Sequence, residues 1–160
     1  MPLQFNYRFL FVAMLAGLLL LFPAESRAVG PFDNMRGSWS GGGTITLTNG
    51  GQERIRCKAA YNPSGPNLRM SLVCASDSYK VDLASQLAAS GGEIKGTWSE
   101  ATRQVNGDLV GIVTGGNIQV SVKSAIFSAS LNVKTSGGNQ LISITAPGTE
   151  VSRVVIALKR

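Results

Sequence analysis

Cys57 and Cys74 are the two residues of this chain whose type and number commit them to a definite chemistry. An even pair in a small exported domain is most simply a disulfide. Closing a loop of this length stabilises a small domain by about 3 kcal/mol. Two thiols in a sequence of 160 residues without a histidine make a poor zinc site. The same absence removes the usual general base, the commonest metal ligand and any Ser-His triad. Paired carboxylates could still serve glycoside hydrolysis, and Glu93 and Glu100 are the pair to consider. They stand seven apart on one predicted strand, and so face opposite sides of it. Lys58 and Tyr61 fail as a pair for the same reason. The paired glycines do not cradle phosphate, because no helix is predicted to follow them and receive the anion. The residues therefore predict a non-catalytic protein with neither cofactor nor metal.

A second cluster carries charge. Arg54, Arg56 and Lys58 alternate along one strand, and Arg69 lies near the turn that follows. They form a basic surface that either docks an acidic polysaccharide, a lipid head group or an acidic protein, or is a solvated face that also discourages edge pairing.

The N-terminus gives an address. Residues 9–22 are an unbroken apolar run of fourteen, FLFVAMLAGLLLLF, preceded by Arg8 and ended by Pro23. A membrane-spanning helix needs about 20 apolar residues. Ser26-Arg27-Ala28 puts small residues where a signal peptidase reads them, so residues 1–28 are expected to be a cleaved export signal, with no permanent membrane span afterwards. Removing Arg8, Arg27 and Glu25 with it turns fifteen basic and nine acidic residues into thirteen and eight, a net charge of +5. That charge is spread along the chain without runs, so no nucleic-acid partner is expected.

What remains is one domain's worth of chain: a lead-in over 29–36 and a body over 37–160. A glycine triple at 41–43 and glycine pairs at 50–51, 91–92, 115–116 and 137–138 punctuate segments whose apolar residues alternate with a period of two. This pattern predicts strands over 38–47, 53–61, 68–76, 79–87, 93–100, 107–114, 118–124, 126–134, 140–145 and 151–158. The 79–89 stretch also suits a helical turn or two. Folding the second and third strands about 64–67 sets Tyr61 against Met70 and Ala59 against Leu72. Cys57 then falls opposite Cys74, whereas a one-residue slip would put the sulfurs on opposite faces. A meander of eight to ten strands has two open edges unless it closes into an up-and-down barrel. The fold class is therefore all-β, an antiparallel meander closed as a barrel and preceded by a signal helix.

Gly37-Ser38-Trp39 opens the first strand, and Gly96-Thr97-Trp98 repeats the pattern. A G-x-W near the start of the mature chain resembles the first strand of lipocalins and other calycin barrels, which implies a barrel that carries a small apolar or amphipathic ligand. The chain is also similar to periplasmic inhibitors of bacterial secreted metalloproteases: signal peptide, one early disulfide, early G-x-W and a short meander. That likeness implies a protein partner, with residues 29–36, including Gly30-Pro31-Phe32-Asp33, as an inhibitory extension whose removal spares the barrel. Trp39 and Trp98 either plug the ends of the barrel or line a pocket with Tyr61, Met70 and Phe127. Ile45, Ile55, Leu72, Leu109, Val120, Leu131 and Ile156 are expected inside. Small inward residues such as Ala59, Gly96, Gly111 and Ala129 leave a filled interior and a hollow one both open.

Overall fold

The computed structural model describes residues 28–160. The export signal read over 1–28, with its helix, lies outside the described residues except for Ala28. Among the described residues, no helix is long and apolar enough to cross a membrane.

Ten strands follow a single 3₁₀ turn at Asp33–Met35: β1 Gly37–Leu47, β2 Gln52–Ser64, β3 Asn67–Ala75, β4 Lys80–Ser90, β5 Glu93–Glu100, β6 Val105–Thr114, β7 Asn117–Lys123, β8 Ser128–Ser136, β9 Asn139–Thr145 and β10 Val151–Lys159. Each pairs antiparallel with its neighbour in sequence, and β1 pairs with β10 to close the barrel. Alternation is the cause: Ile55, Cys57, Ala59 and Tyr61 of β2 are buried while Arg54, Arg56 and Lys58 are exposed.

The expected hairpin register holds. Tyr61 pairs with Met70, Ala59 with Leu72 and Cys57 with Cys74, and the cysteines are joined by a disulfide across a Cα–Cα distance of 4.1 Å. Strand boundaries differ from the expected ones by one to three residues, two of them for a visible local reason. β2 runs on through Pro63 to Ser64, because Pro63 lies past the end of the β1 ladder, where no backbone donor is required of it. β8 begins at Ser128 rather than at 126, because Ser124 Oγ accepts from the backbone N–H groups of Ile126 and Phe127 and holds them in a turn. The ambiguous 79–89 stretch is strand, paired along its length with β3 and β5.

Gly96, Gly107 and Gly111 have a different role from the turn glycines. A Cβ would collide with the Gln86 carbonyl oxygen at Gly96, with that of Lys123 at Gly107 and with that of Gln119 at Gly111. They let neighbouring backbones approach where the sheet coils to close.

The two ends of the barrel differ in their connections. At one end the hairpins have two-residue loops, 65–66, 91–92, 115–116 and 137–138. Gly91-Gly92 and Gly115-Gly116 have positive φ at both positions, as tight type I′ turns require. At the other end the loops are four or five residues long: 48–51, 76–79, 101–104, 124–127 and 146–150.

Candidate functional site

The two-residue-loop end is sealed. Gly30 N–H and the Arg36 guanidinium donate to Asp33, at 2.7 and 3.1 Å, which fixes the lead-in as a compact turn. That turn presents Phe32 and Met35 inward, with 0% and 2% of their surface exposed. Trp39 packs beside them, its Nε1–H donating to the Met35 carbonyl at 2.7 Å and its ring meeting Tyr61 edge-on at 6.4 Å. The Arg160 guanidinium covers the indole from outside at 5.0 Å, and its Nη1 donates to the Arg36 carbonyl at 3.0 Å. Across the interior, Tyr61 OH donates to Gln140 Oε1 at 2.7 Å, and Gln140 Nε2 donates to Thr135 Oγ1 at 3.0 Å. Burial pushes the Tyr61 phenol far above its ordinary range, against the opposing pull of Gln140, so it stays a neutral donor.

Above this floor lies a cavity of about 380 Å³, whose wall includes Tyr61, Met70, Trp98, Leu109, Val120 and Leu131. The Trp98 ring packs on Phe127 at a tilt, centroids 5.7 Å apart. Its buried Nε1–H has no acceptor among the described residues, an arrangement that costs about 1–3 kcal/mol. Ser85 puts a buried hydroxyl on the wall, and its partner there is the soft sulfur of Met70 at 3.9 Å. Among the described residues, charged groups reach the cavity only at the long-loop end, where Glu100, Arg103 and Glu150 stand with Tyr79 and the exposed Ile126. A larger hollow, about 640 Å³ over Asn62, Arg69, Gln86 and Lys95, is an open depression on the outer wall among exposed side chains.

Glu100 organises this mouth. Its carboxylate accepts from the backbone N–H groups of Asp82, Thr102 and Arg103 at 3.0, 3.0 and 2.8 Å. Desolvation works to raise its pKa, and the three backbone donors outweigh it, leaving the group below the usual carboxylate value. Glu93 is exposed at the opposite end of the same strand, so the two carboxylates do not meet.

The structure brings Tyr61, Met70, Trp98 and Phe127 of the predicted pocket together around one cavity. Trp39 is not among them: its ring lies beneath the floor, held by the Met35 carbonyl, and it plugs the closed end. Arg54, Arg56, Lys58 and Arg69 are exposed on the outer wall, as their alternation requires. The lead-in departs from expectation. With Phe32 and Met35 in the core, residues 29–36 are not a free extension, and their removal would unseal the barrel. Sequence reasoning also passed over Ser85, Thr135 and Gln140, and weighed Glu100 only as half of a carboxylate pair. The available signal was a polar residue on apolar parity: Gln140 precedes Ile142 and Ile144 by even steps, and Ser85 lies between Leu83 and Leu87.

No family model and no curated protein matches this sequence. Solved structures do share its shape. The crystal structure of Rv2717c from M. tuberculosis superposes with a TM-score of 0.66 at 14% identity, over 81% of this chain and 94% of that one. The S-type phycobiliprotein lyase CPES from Guillardia theta does so with a TM-score of 0.59 at 10% identity, over 81% and 89%. At such identities the likeness is one of fold, a ten-stranded calycin-type barrel.

Proposed function

We propose that this chain is a non-catalytic binding protein that holds a small, uncharged, largely apolar molecule inside the barrel, admitted through the long-loop mouth. The cavity carries this reading: its volume of about 380 Å³ falls within the rough 300–1,000 Å³ range of small-molecule sites. Its wall is largely apolar below the charged rim residues Glu100, Arg103 and Glu150. An ionised group carried to the floor would find no counter-charge and would lose its hydration, whereas a hydrocarbon or aromatic body loses nothing polar. The disulfide fits an oxidising, extracytoplasmic setting for such a carrier.

Titration with Nile red, a neutral apolar dye, tests the proposal. The wild-type protein is expected to bind one dye saturably. Val120→Trp fills the cavity and weakens that binding about tenfold or more, with the overpacking held to about 1–3 kcal/mol of stability. Gln119→Trp, next along β7 and facing outward, leaves binding unchanged. Equal dye binding by both variants would place the dye on the surface and sink the reading.

A further inference from the structure

Outside the cavity, the outer wall formed by β10, β1, β2 and β3 is polarised. Its outward side chains include Arg153, Lys159, Arg54, Arg56, Lys58 and Arg69 and not one Asp or Glu. Among the described residues, none of these six is in an ion pair. Register arranges them around β1. Lys159 and Lys58 flank Ser40, Ala157 and Arg56 flank Gly42, Val155 and Arg54 flank Thr44, and Arg153 and Gln52 flank Thr46. The result is a strip of small, mostly hydroxyl-bearing side chains on β1, fenced by cations on two strands that lie about 10 Å apart. Asp77, two residues past Ala75, the partner of Arg56, lies at the mouth end of this wall, and Asp82 is separated from Lys58 by Val73. The opposite wall, β5 to β8, mixes Lys95, Lys123 and Lys134 with Glu93 and Asp108.

We infer that this fenced strip is a binding site for a linear acidic polysaccharide, lying along β1 with its carboxylates on the flanking cations and its hydroxyls on Ser40, Thr44 and Thr46. Uncompensated cations on both sides of a strip select a polyanion, and a hydroxyl-lined floor is suited to sugar hydroxyls. A bilayer is the poorer match, because a plane meets a convex wall along one line and the strip offers no bulky apolar side chain to insert. A disulfide-containing protein meets acidic glycans in its compartment more readily than nucleic acid. The site is independent of the cavity.

Polygalacturonate is the probe, with neutral dextran, anionic phospholipid vesicles and duplex DNA as comparisons. The wild-type protein is expected to bind polygalacturonate with an affinity that falls steeply with salt, and to ignore dextran. Reversing three charges, Arg54→Glu with Arg56→Glu and Lys58→Glu, should weaken this binding at least about tenfold. The same charge change on the opposite wall, Lys95→Glu with Lys123→Glu and Lys134→Glu, should weaken it no more than about twofold. If the reversed strip disturbs folding by circular dichroism, the Gln replacements of the same three residues take its place. Equal weakening by the two triple variants would show attraction to net charge alone and overturn the proposal. So would equal or tighter binding to vesicles or DNA.

Discussion

Gly37-Ser38-Trp39 and Gly96-Thr97-Trp98 each set an indole on the inward face of a strand, the first near the sealed end of β1 and the second near the mouth end of β5. Their surroundings diverge from there. Trp39 has its N–H on the Met35 carbonyl, Tyr61 against its edge and Arg160 over its face. Trp98 has Phe127 beside it, an unpaired N–H and a cavity in front. The sealed end is stapled by contacts between segments remote in sequence, including a hydrogen bond from Arg160 to Arg36. The mouth is held by bonds within and beside its own loops, those of Glu100 and Ser124 among them, and by Thr48 and Tyr79 reaching Glu150 across the closing strands. The same tripeptide thus serves closure at one end and the wall of a cavity at the other.

The sharpest way to break this contrast is to cut the plug. Phe32→Ala removes a wholly buried ring from the sealed end and should cost about 3–5 kcal/mol in urea denaturation. A loss under about 1 kcal/mol would mean that the lead-in merely rests on the barrel.

The two tryptophans give the next comparison. Trp39→Phe deletes a satisfied buried hydrogen bond and leaves the Met35 carbonyl unpaired, an expected loss of about 1–3 kcal/mol. Trp98→Phe also removes ring area but relieves an unpaired donor, so its net cost should stay within about 1 kcal/mol. Equal losses in chemical denaturation would show that the indole at the mouth is as firmly built in as the one beneath the floor.

The smallest effect belongs to Glu100. Folding lowers its pKa below the ordinary value of 4.5. Its stabilisation is therefore complete at neutral pH and is lost as the pH falls below that value and through the folded pKa. Glu100→Gln should cost about 1 kcal/mol at pH 7, with the gap from wild type closing in acid. A gap that is independent of pH would mean that the side chain acts by shape rather than by charge.

Much of this architecture was legible before any coordinates, and for a local reason. Side-chain parity within a strand and turn chemistry between strands are short-range properties, so β2 and β3, their register and the Cys57–Cys74 bond followed from apolar residues spaced by two and a Gly-Pro turn. The interior was legible as a set: Tyr61, Met70, Trp98 and Phe127 do share one wall. The split between Trp39 and Trp98 was not. Both sit on inward parity in the same tripeptide, and only the return of residues 30–36 onto the barrel end distinguishes them. Gln140 was missed because its partner, Tyr61, is remote in sequence and reaches it across the closed interior.

By itself, then, the sequence determined an antiparallel meander of eight to ten strands, the inward and outward faces of the early ones and the disulfide that pins the early hairpin, because alternation and tight turns act between near neighbours. Three matters waited for the tertiary structure: that one end is sealed by Phe32 and Met35, that a cavity remains above them, and that the unpaired cations of β2 and β10 fence β1. All three depend on strand tilt and on closure of β1 against β10, which join residues more than a hundred positions apart. The volume left inside a barrel is a small difference between its girth and its filling, and neither quantity belongs to any single segment.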